Sequence, residues 1–168
     1  QADSLSLEGE VVSSTWIKAR ISRGEMREAY RALGRPYAVF GTVVTGQQLG
    51  RRLGYPTANI RREDPDQLLP PDGVYACDLE LHRPSGEGEK HHAMLYIGKR
   101  PTLGGELERT IEVHILDFDE MIYGMEVVVH IFEQLHTERR FSSTEELRTA
   151  LAAYEADTRR YFAEHTRY

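Results

Sequence analysis

The spacing of apolar residues changes period twice along this chain. Between residues 13 and 33 it is helical. The segment "STWIKARISRG" reads as a helix capped by Ser13 or Ser14 and stopped at Gly24. In "EMREAYRAL", Met26, Ala29, Tyr30 and Leu33 fall at i, i+3, i+4 and i+7, one face of a second short helix. Gly34 suits a left-handed C-terminal cap, and Pro36 blocks continuation. From "YAVFGTVVTG" onward the period drops to two. "GVYACDLELHR" follows the turn signal "LPPDG", and "HHAMLYIG" precedes "KRPTLGG". Ile111, Val113 and Ile115 alternate in "RTIEVHILDFD", as do Val127, Val129 and Ile131 in "YGMEVVVHIFEQL". These predict five or six strands joined by short Gly/Pro loops, the arrangement of a closed antiparallel sheet. No helical pattern separates the strands, which argues against a parallel βαβ sheet. The helical period then returns in "SSTEELRTALAAYEADTRRYFAEH". A Ser/Thr cap signal and Glu145 and Glu146 in the first turn open it, and Leu147, Leu151, Tyr154 and Tyr161 lie near one face. This helix is expected to pack across the barrel. There is no internal repeat, and "RPSGEGEKHH" reads as a polar loop tip.

Composition adds little to that outline. The chain has 168 residues, 40% hydrophobic and 29% charged, enough for one domain with a real core or a small domain with appendages. No apolar run approaches the ~20 residues of a membrane span. No secretory leader is visible, and the start "QADSLSLEGE" without Met reads as a fragment or a processed chain. A net charge of -6 argues against a general nucleic-acid surface. It leaves room for one local cationic pocket. The single cysteine, Cys77, rules out an internal disulfide and fits a reducing cytoplasm. Within its strand it reads as a small buried hydrophobe.

The densest punctuation is "GQQLGRRLGYPTANI", residues 46–60. Gly46, Gly50 and Gly54 recur every fourth position, with Arg51 and Arg52 between them. "GTVVTGQQ" starts like a Walker A loop, but Gln47 and Gln48 stand where Lys and Ser/Thr are needed. Gly50, Gly54 and Pro56 are expected to prevent a following helix. Repeated glycines instead let backbone N–H groups converge on an anion, and Arg51 or Arg52 can add charge-assisted hydrogen bonds to phosphate oxygens. Pro56 pushes Tyr55 toward an extended conformation. On the strand that follows, Thr57 and Asn59 are two apart and share a face, offering hard neutral oxygens suited to Mg²⁺ carried by a nucleotide. The competing reading is a flexible hairpin loop with arginines for solubility.

In "RTIEVHILDFDEMIYGMEV", Glu112 and His114 share the face opposite the apolar one. A carboxylate there can accept a proton from a hydroxyl. It can equally be an exposed glutamate on a half-buried strand. His114 reads as structural. Asp117, Asp119 and Glu120 look like a metal cluster but lack the spacing of a Ca²⁺ loop, so a solvated turn fits better. The adjacent His91 and His92 lack further ligands for zinc.

Together these segments resemble riboflavin kinase, more specifically the C-terminal kinase half of a bacterial bifunctional FAD synthetase. "LGRPY", "GTVVTGQQLGRRLGYPTANI", "LPPDGVY", "MLYIGKRPTL", "TIEVHILDFDEMIYGMEV" and "RRFSSTEEL" stand in the family's order over roughly residues 33–147. "VSSTWIK" resembles the end of the adenylyltransferase half. The resemblance implies residues 1–34 as a linker and helices left from that upstream domain, and residues 35–168 as the kinase domain. It implies a six-stranded antiparallel Greek-key barrel with a C-terminal helix. It implies a cytoplasmic enzyme using Mg²⁺ and ATP to phosphorylate the riboflavin 5′-hydroxyl, yielding FMN and ADP. Gly46, Gly50, Arg51 and Gly54 would cover the nucleotide phosphates, Thr57 and Asn59 would hold Mg²⁺ and phosphate, and Glu112 would be the base. Leu135, His136 and Phe141, with the last helix, would border the flavin. The chain departs from the family pattern on that flavin side. His136 stands where Arg is usual and Thr137 where an acid or proline is. Ala150 and Tyr154 occupy the usual Gln and Asp positions, with Asp157 one turn late. Tyr96, where Asn is frequent, matches a subset. A flavin- or nucleotide-binding barrel without catalysis, or a docking partner for the adenylyltransferase domain, are the alternatives.

Overall fold

The structure, a computed structural model, describes residues 6–7, 9–101 and 104–165. Thr102 and Leu103 of "MLYIGKRPTL" lie outside the described residues. A short ladder of β1 (Ser6–Leu7) and β2 (Glu10–Val11) precedes two helices, α1 (Ser14–Ser22) and α2 (Met26–Leu33). The ladder has no counterpart in the sequence reading, because two-residue strands carry no periodicity. Ser13 caps α1 by accepting a hydrogen bond from the Trp16 amide at 3.1 Å. Gly34 ends α2 in the left-handed conformation, φ 69°.

Six antiparallel strands then close a barrel: β3 (Tyr37–Val44), β4 (Ala58–Arg62), β5 (Gly73–His82), β6 (Gly88–Pro101), β7 (Leu107–Ile115) and β8 (Glu126–Thr137). Their order is β3-β4-β7-β6-β5-β8. Strands β5, β6 and β7 form a meander, and β8 returns beside β5, which is the Greek-key arrangement. Closure gives every barrel strand two neighbours.

Alternation along the strands sorts the side chains. Val39, Tyr75, Leu79, Leu95, Val113 and Val129, all fully buried, fill the barrel interior. Ile21, Met26 and Ala29 from α1 and α2 belong to the same cluster, so these helices are part of the barrel's core. Cys77 is fully buried there, and burial pushes its thiol pKa up. A smaller cluster lies on the outside of the barrel. There α4 (Thr144–Glu164) brings Ala150 and Tyr154 against Val74 and Met94, with Tyr96, Phe141 and Leu151 at the margin. Ser143 starts this helix by accepting from the Glu146 amide at 3.1 Å, while Glu146 reaches back to the amide and hydroxyl of Ser142.

One expectation needs correcting. A helical turn, α3 (Leu49–Arg52), does form inside the glycine-rich segment. Gln48 enters it with φ 57°, and Gly54 leaves with φ 85°. The glycines limit this helix to one turn without forbidding it. The turn carries the Tyr55 amide onto the Gly50 carbonyl at 2.8 Å.

Candidate active site

Strand register assembles the site. Asn59 on β4 and Tyr96 on β6 are the cross-strand partners of Glu112 on β7. Directly opposed residues project to the same face, so the three line up across three strands. The apolar alternates Ile111 and Val113 point into the barrel, which puts Glu112 on its outer surface. That surface is covered, and Glu112 is only 8% exposed. The sequence left its environment open between solvent and burial; flanked by Asn59 and Tyr96 and met by Arg100, the carboxylate is buried.

The carboxylate has one cation beside it. Arg100 Nη2 lies 2.5 Å from Glu112 Oε1. Its Nη1 donates to Gln47 Oε1 in the glycine-rich loop at 3.1 Å. Burial raises the Glu112 pKa, and the Arg100 guanidinium acts against that rise. His114, two residues on, donates from Nδ1 to the Pro56 carbonyl at 2.8 Å and sets its ring 5.6 Å from that of Tyr55. It therefore anchors the turn leading into Thr57, and it also lines the larger cavity beneath α4.

The glycine-rich loop folds onto this surface by close approach. A Cβ on Gly46 would lie 2.0 Å from Asn59 Nδ2, and one on Gly50 would lie 2.3 Å from the Tyr55 carbonyl and 3.3 Å from Thr57 Oγ1. At Gly50 only a residue without a side chain lets the loop sit against the Tyr55 backbone, and at Gly46 a side chain would displace the Asn59 amide.

Two cavities meet at this point. One, of about 220 Å³, lies between α3, the outer face of the barrel and α4. Gly50, Thr57, Tyr96, Arg100, Glu112, Phe141 and Tyr154 are among its walls. The other, of about 150 Å³, lies between α3 and the turn after β7, with Gln48, Arg51, Thr57, Phe118, Asp119, Met121 and Tyr123 around it. Thr57 lines both. Asn59 lines neither directly and packs under Gly46 beside Glu112.

Of the remaining sequence candidates, Phe141 lines the larger cavity. Leu135 lies apart, beside a depression behind α4 that also contains Asp157 and Arg160. His136 stands between the two, bonded to Asp157 and against Tyr154. Asp117 pairs with Arg159 at 2.8 Å, and Glu120 with Arg83 at 2.9 Å. His92 pairs with Asp78 at 2.7 Å and stacks on Phe162. Among the described residues no group of three or more His, Cys, Asp or Glu side chains could hold a metal ion.

Sequence reasoning missed two contributors. Arg100 is one, because its partner is on a neighbouring strand. The turn after β7 is the other. Its signal was present: Met121 and Tyr123 are large apolar residues among acids, and both stay exposed at 77% and 43% beside a cavity.

Residues 33–162 match the family model described as Flavokinase: Riboflavin kinase. The bifunctional riboflavin kinase/FMN adenylyltransferase of Listeria monocytogenes is 39% identical over 161 residues, covering 96% of this chain and 49% of that protein. The protein of the same name from Escherichia coli K12 is 37% identical, covering 92% and 47%. This chain thus spans about half the length of the curated relatives it matches. Among solved structures, a macrolide-efflux protein from Streptococcus pneumoniae superposes with a TM-score of 0.83 at 38% identity, over 93% of this chain and 49% of that one. Riboflavin kinase from Trypanosoma brucei superposes with a TM-score of 0.57 at 22% identity, over 79% and 80%, a likeness of fold.

Proposed function

The chain belongs to the riboflavin kinase family, and on that premise we propose that it transfers the γ-phosphate of ATP to the 5′-hydroxyl of riboflavin, giving FMN and ADP. One observation carries the reading: Thr57 lines both cavities, and the buried Glu112 lines the one beneath α4. Two ligands that must exchange a group need adjoining sites with a carboxylate at the acceptor's side.

The smaller cavity, with Arg51 at its edge and Met121 and Tyr123 as apolar surface, takes the nucleotide. The larger, aromatic-walled cavity takes the flavin, with its ribityl chain toward Thr57. The hydroxyl oxygen attacks the γ-phosphorus, the bond to the β-phosphate oxygen breaks, the hydroxyl proton passes to Glu112, and ADP leaves. Phosphoryl transfer has a loose transition state, so positioning and charge neutralisation do most of the work. Glu112 orients the alcohol as well as taking its proton. Arg51 and the backbone amides of the glycine-rich loop offset phosphate charge.

Mg²⁺ fits this donor set. Thr57, which lines both cavities, and Asn59 offer neutral oxygens suited to an ion that arrives on a nucleotide. Bound there, the ion would neutralise phosphate charge. Under the same reading, residues 1–34 lead in from an FMN adenylyltransferase domain, and the protein works in the cytoplasm. Among the described residues no helix is long and apolar enough to cross a membrane. Efflux, suggested by the name of the streptococcal structure, has no route through this barrel, whose interior is filled by Val39, Tyr75, Leu95 and their neighbours.

Incubation of the protein with ATP, Mg²⁺ and riboflavin, followed by chromatography of the flavins, tests the proposal. FMN and ADP in equal amounts are expected. Riboflavin bound but unconverted would instead identify a non-catalytic flavin-binding module, the reading that the unusual His136 and Tyr154 would then favour.

A further inference from the structure

We propose that His136 and Asp157 form a positioning pair that holds Tyr154 as a wall of the larger cavity and so sets how tightly the flavin is bound. This rests on the assignment of that cavity to riboflavin.

The pair joins two elements distant in sequence. His136 on β8 is the register partner of Val74 on β5, and Asp157 lies on α4. The imidazole Nε2–H donates to Asp157 Oδ2 at 2.7 Å. A carboxylate oxygen only accepts, so the proton sits on Nε2. The same ring lies 4.4 Å from the Tyr154 ring, tilted by 43°. Tyr154 and Asp157 are three apart on α4, hence neighbours on the helix surface. One imidazole therefore grips the helix twice, by a hydrogen bond to Asp157 and by ring contact with Tyr154.

Tyr154 is 8% exposed and packs against Val74 and Met94. The His136 side chain is 32% exposed, so its hydrogen bond to Asp157 and its contact with Tyr154 are what hold the ring in place. Asp157 also contacts Arg160 and lines the depression on the far side of the helix. The pair thus marks the seam where α4 meets β8, with the larger cavity on one side. A flavin is a flat aromatic ring system, and Tyr154 offers it an aromatic face and edge whose orientation depends on that seam. The unusual His136 and the late Asp157 are consequently partners in one contact.

Riboflavin fluorescence quenching and ADP titration calorimetry, run on the same proteins, test this. In His136→Ala and in Asp157→Ala, riboflavin affinity is expected to fall about tenfold, the scale of one lost hydrogen bond to a charged group, while ADP affinity stays unchanged. The double variant should be no weaker than either single one, and His136→Gln, which keeps a donor, should recover most of the loss. Unchanged riboflavin affinity in Asp157→Ala, or additive losses in the double variant, would overturn the pair. If His136→Ala also loses ADP binding, Asp157→Ala, altered on a partly exposed face of α4, decides alone. Wild-type protein that binds riboflavin but makes no FMN would sink the kinase proposal and leave the pair standing. Wild-type protein that makes FMN, with variants that bind it as well as wild type, would do the reverse. No riboflavin binding at all by the wild type would refute both.

Discussion

Glu112 is a carboxylate on which burial and charge act in opposite directions. Removal from water raises its pKa, and Arg100 at 2.5 Å restrains the rise. The base works as the carboxylate, so kcat should fall on acidification through an apparent pKa above 4.5, the ordinary value for glutamate. Replacing Arg100 with Met removes the restraining cation. The acid limb of a pH–rate profile should then move further toward neutrality, and a limb that stays put would separate Arg100 from Glu112. Linkage runs the other way for stability. The folded chain holds this proton more tightly than the unfolded one, so the contribution is present below pH 4.5 and is lost as pH rises through the folded pKa. Thr57, at the junction of the cavities, should matter for nucleotide rather than fold. Thr57→Ala is expected to weaken Mg·ADP binding in calorimetry with little change in thermal midpoint. At this scale the sequence was partly legible. Thr57 and Glu112 stood out as candidates, each with a plain structural alternative, and their roles came from the resemblance rather than from spacing. Arg100 did not stand out, because a cation on β6 that reaches a carboxylate on β7 has no one-dimensional signature.

Among the elements, the barrel strands and helices α1, α2 and α4 were readable because each buries one face, the strands, α1 and α2 in the main core and α4 on the outer cluster, which enforces its period. The glycine-rich segment was harder. Its glycines satisfy two demands at once, close approach to Asn59 and Thr57 and a one-turn helix, and only the first could be inferred from glycine content. The C-terminal helix carries one wall of the larger cavity, so its start has functional weight. Ser143→Ala removes the side-chain acceptor of the Glu146 amide. The variant should lose about 1 kcal/mol of stability in urea unfolding. An unchanged midpoint would mean that Glu146, through Ser142, caps the helix unaided.

For the molecule as a whole, the barrel is a filled scaffold, and the candidate chemistry sits on its outer face beneath α4 and where the core residues Val43, Val113 and Ile115 meet α3 and the turn after β7. Cys77 reports on the integrity of that scaffold. Fully buried, with its thiol pKa raised by burial, it should resist a thiol reagent in the native state and react only as the barrel opens. Rapid labelling without denaturant would contradict the packing described. The most direct test of the site is the rate of FMN formation by wild-type protein and by Glu112→Gln at saturating ATP and riboflavin, with ADP affinity measured on both. A buried base that orients the alcohol predicts a fall in kcat of ~10²–10⁴-fold at near-constant ADP affinity. Equal rates from the two proteins would remove Glu112 from the reaction and contradict the account.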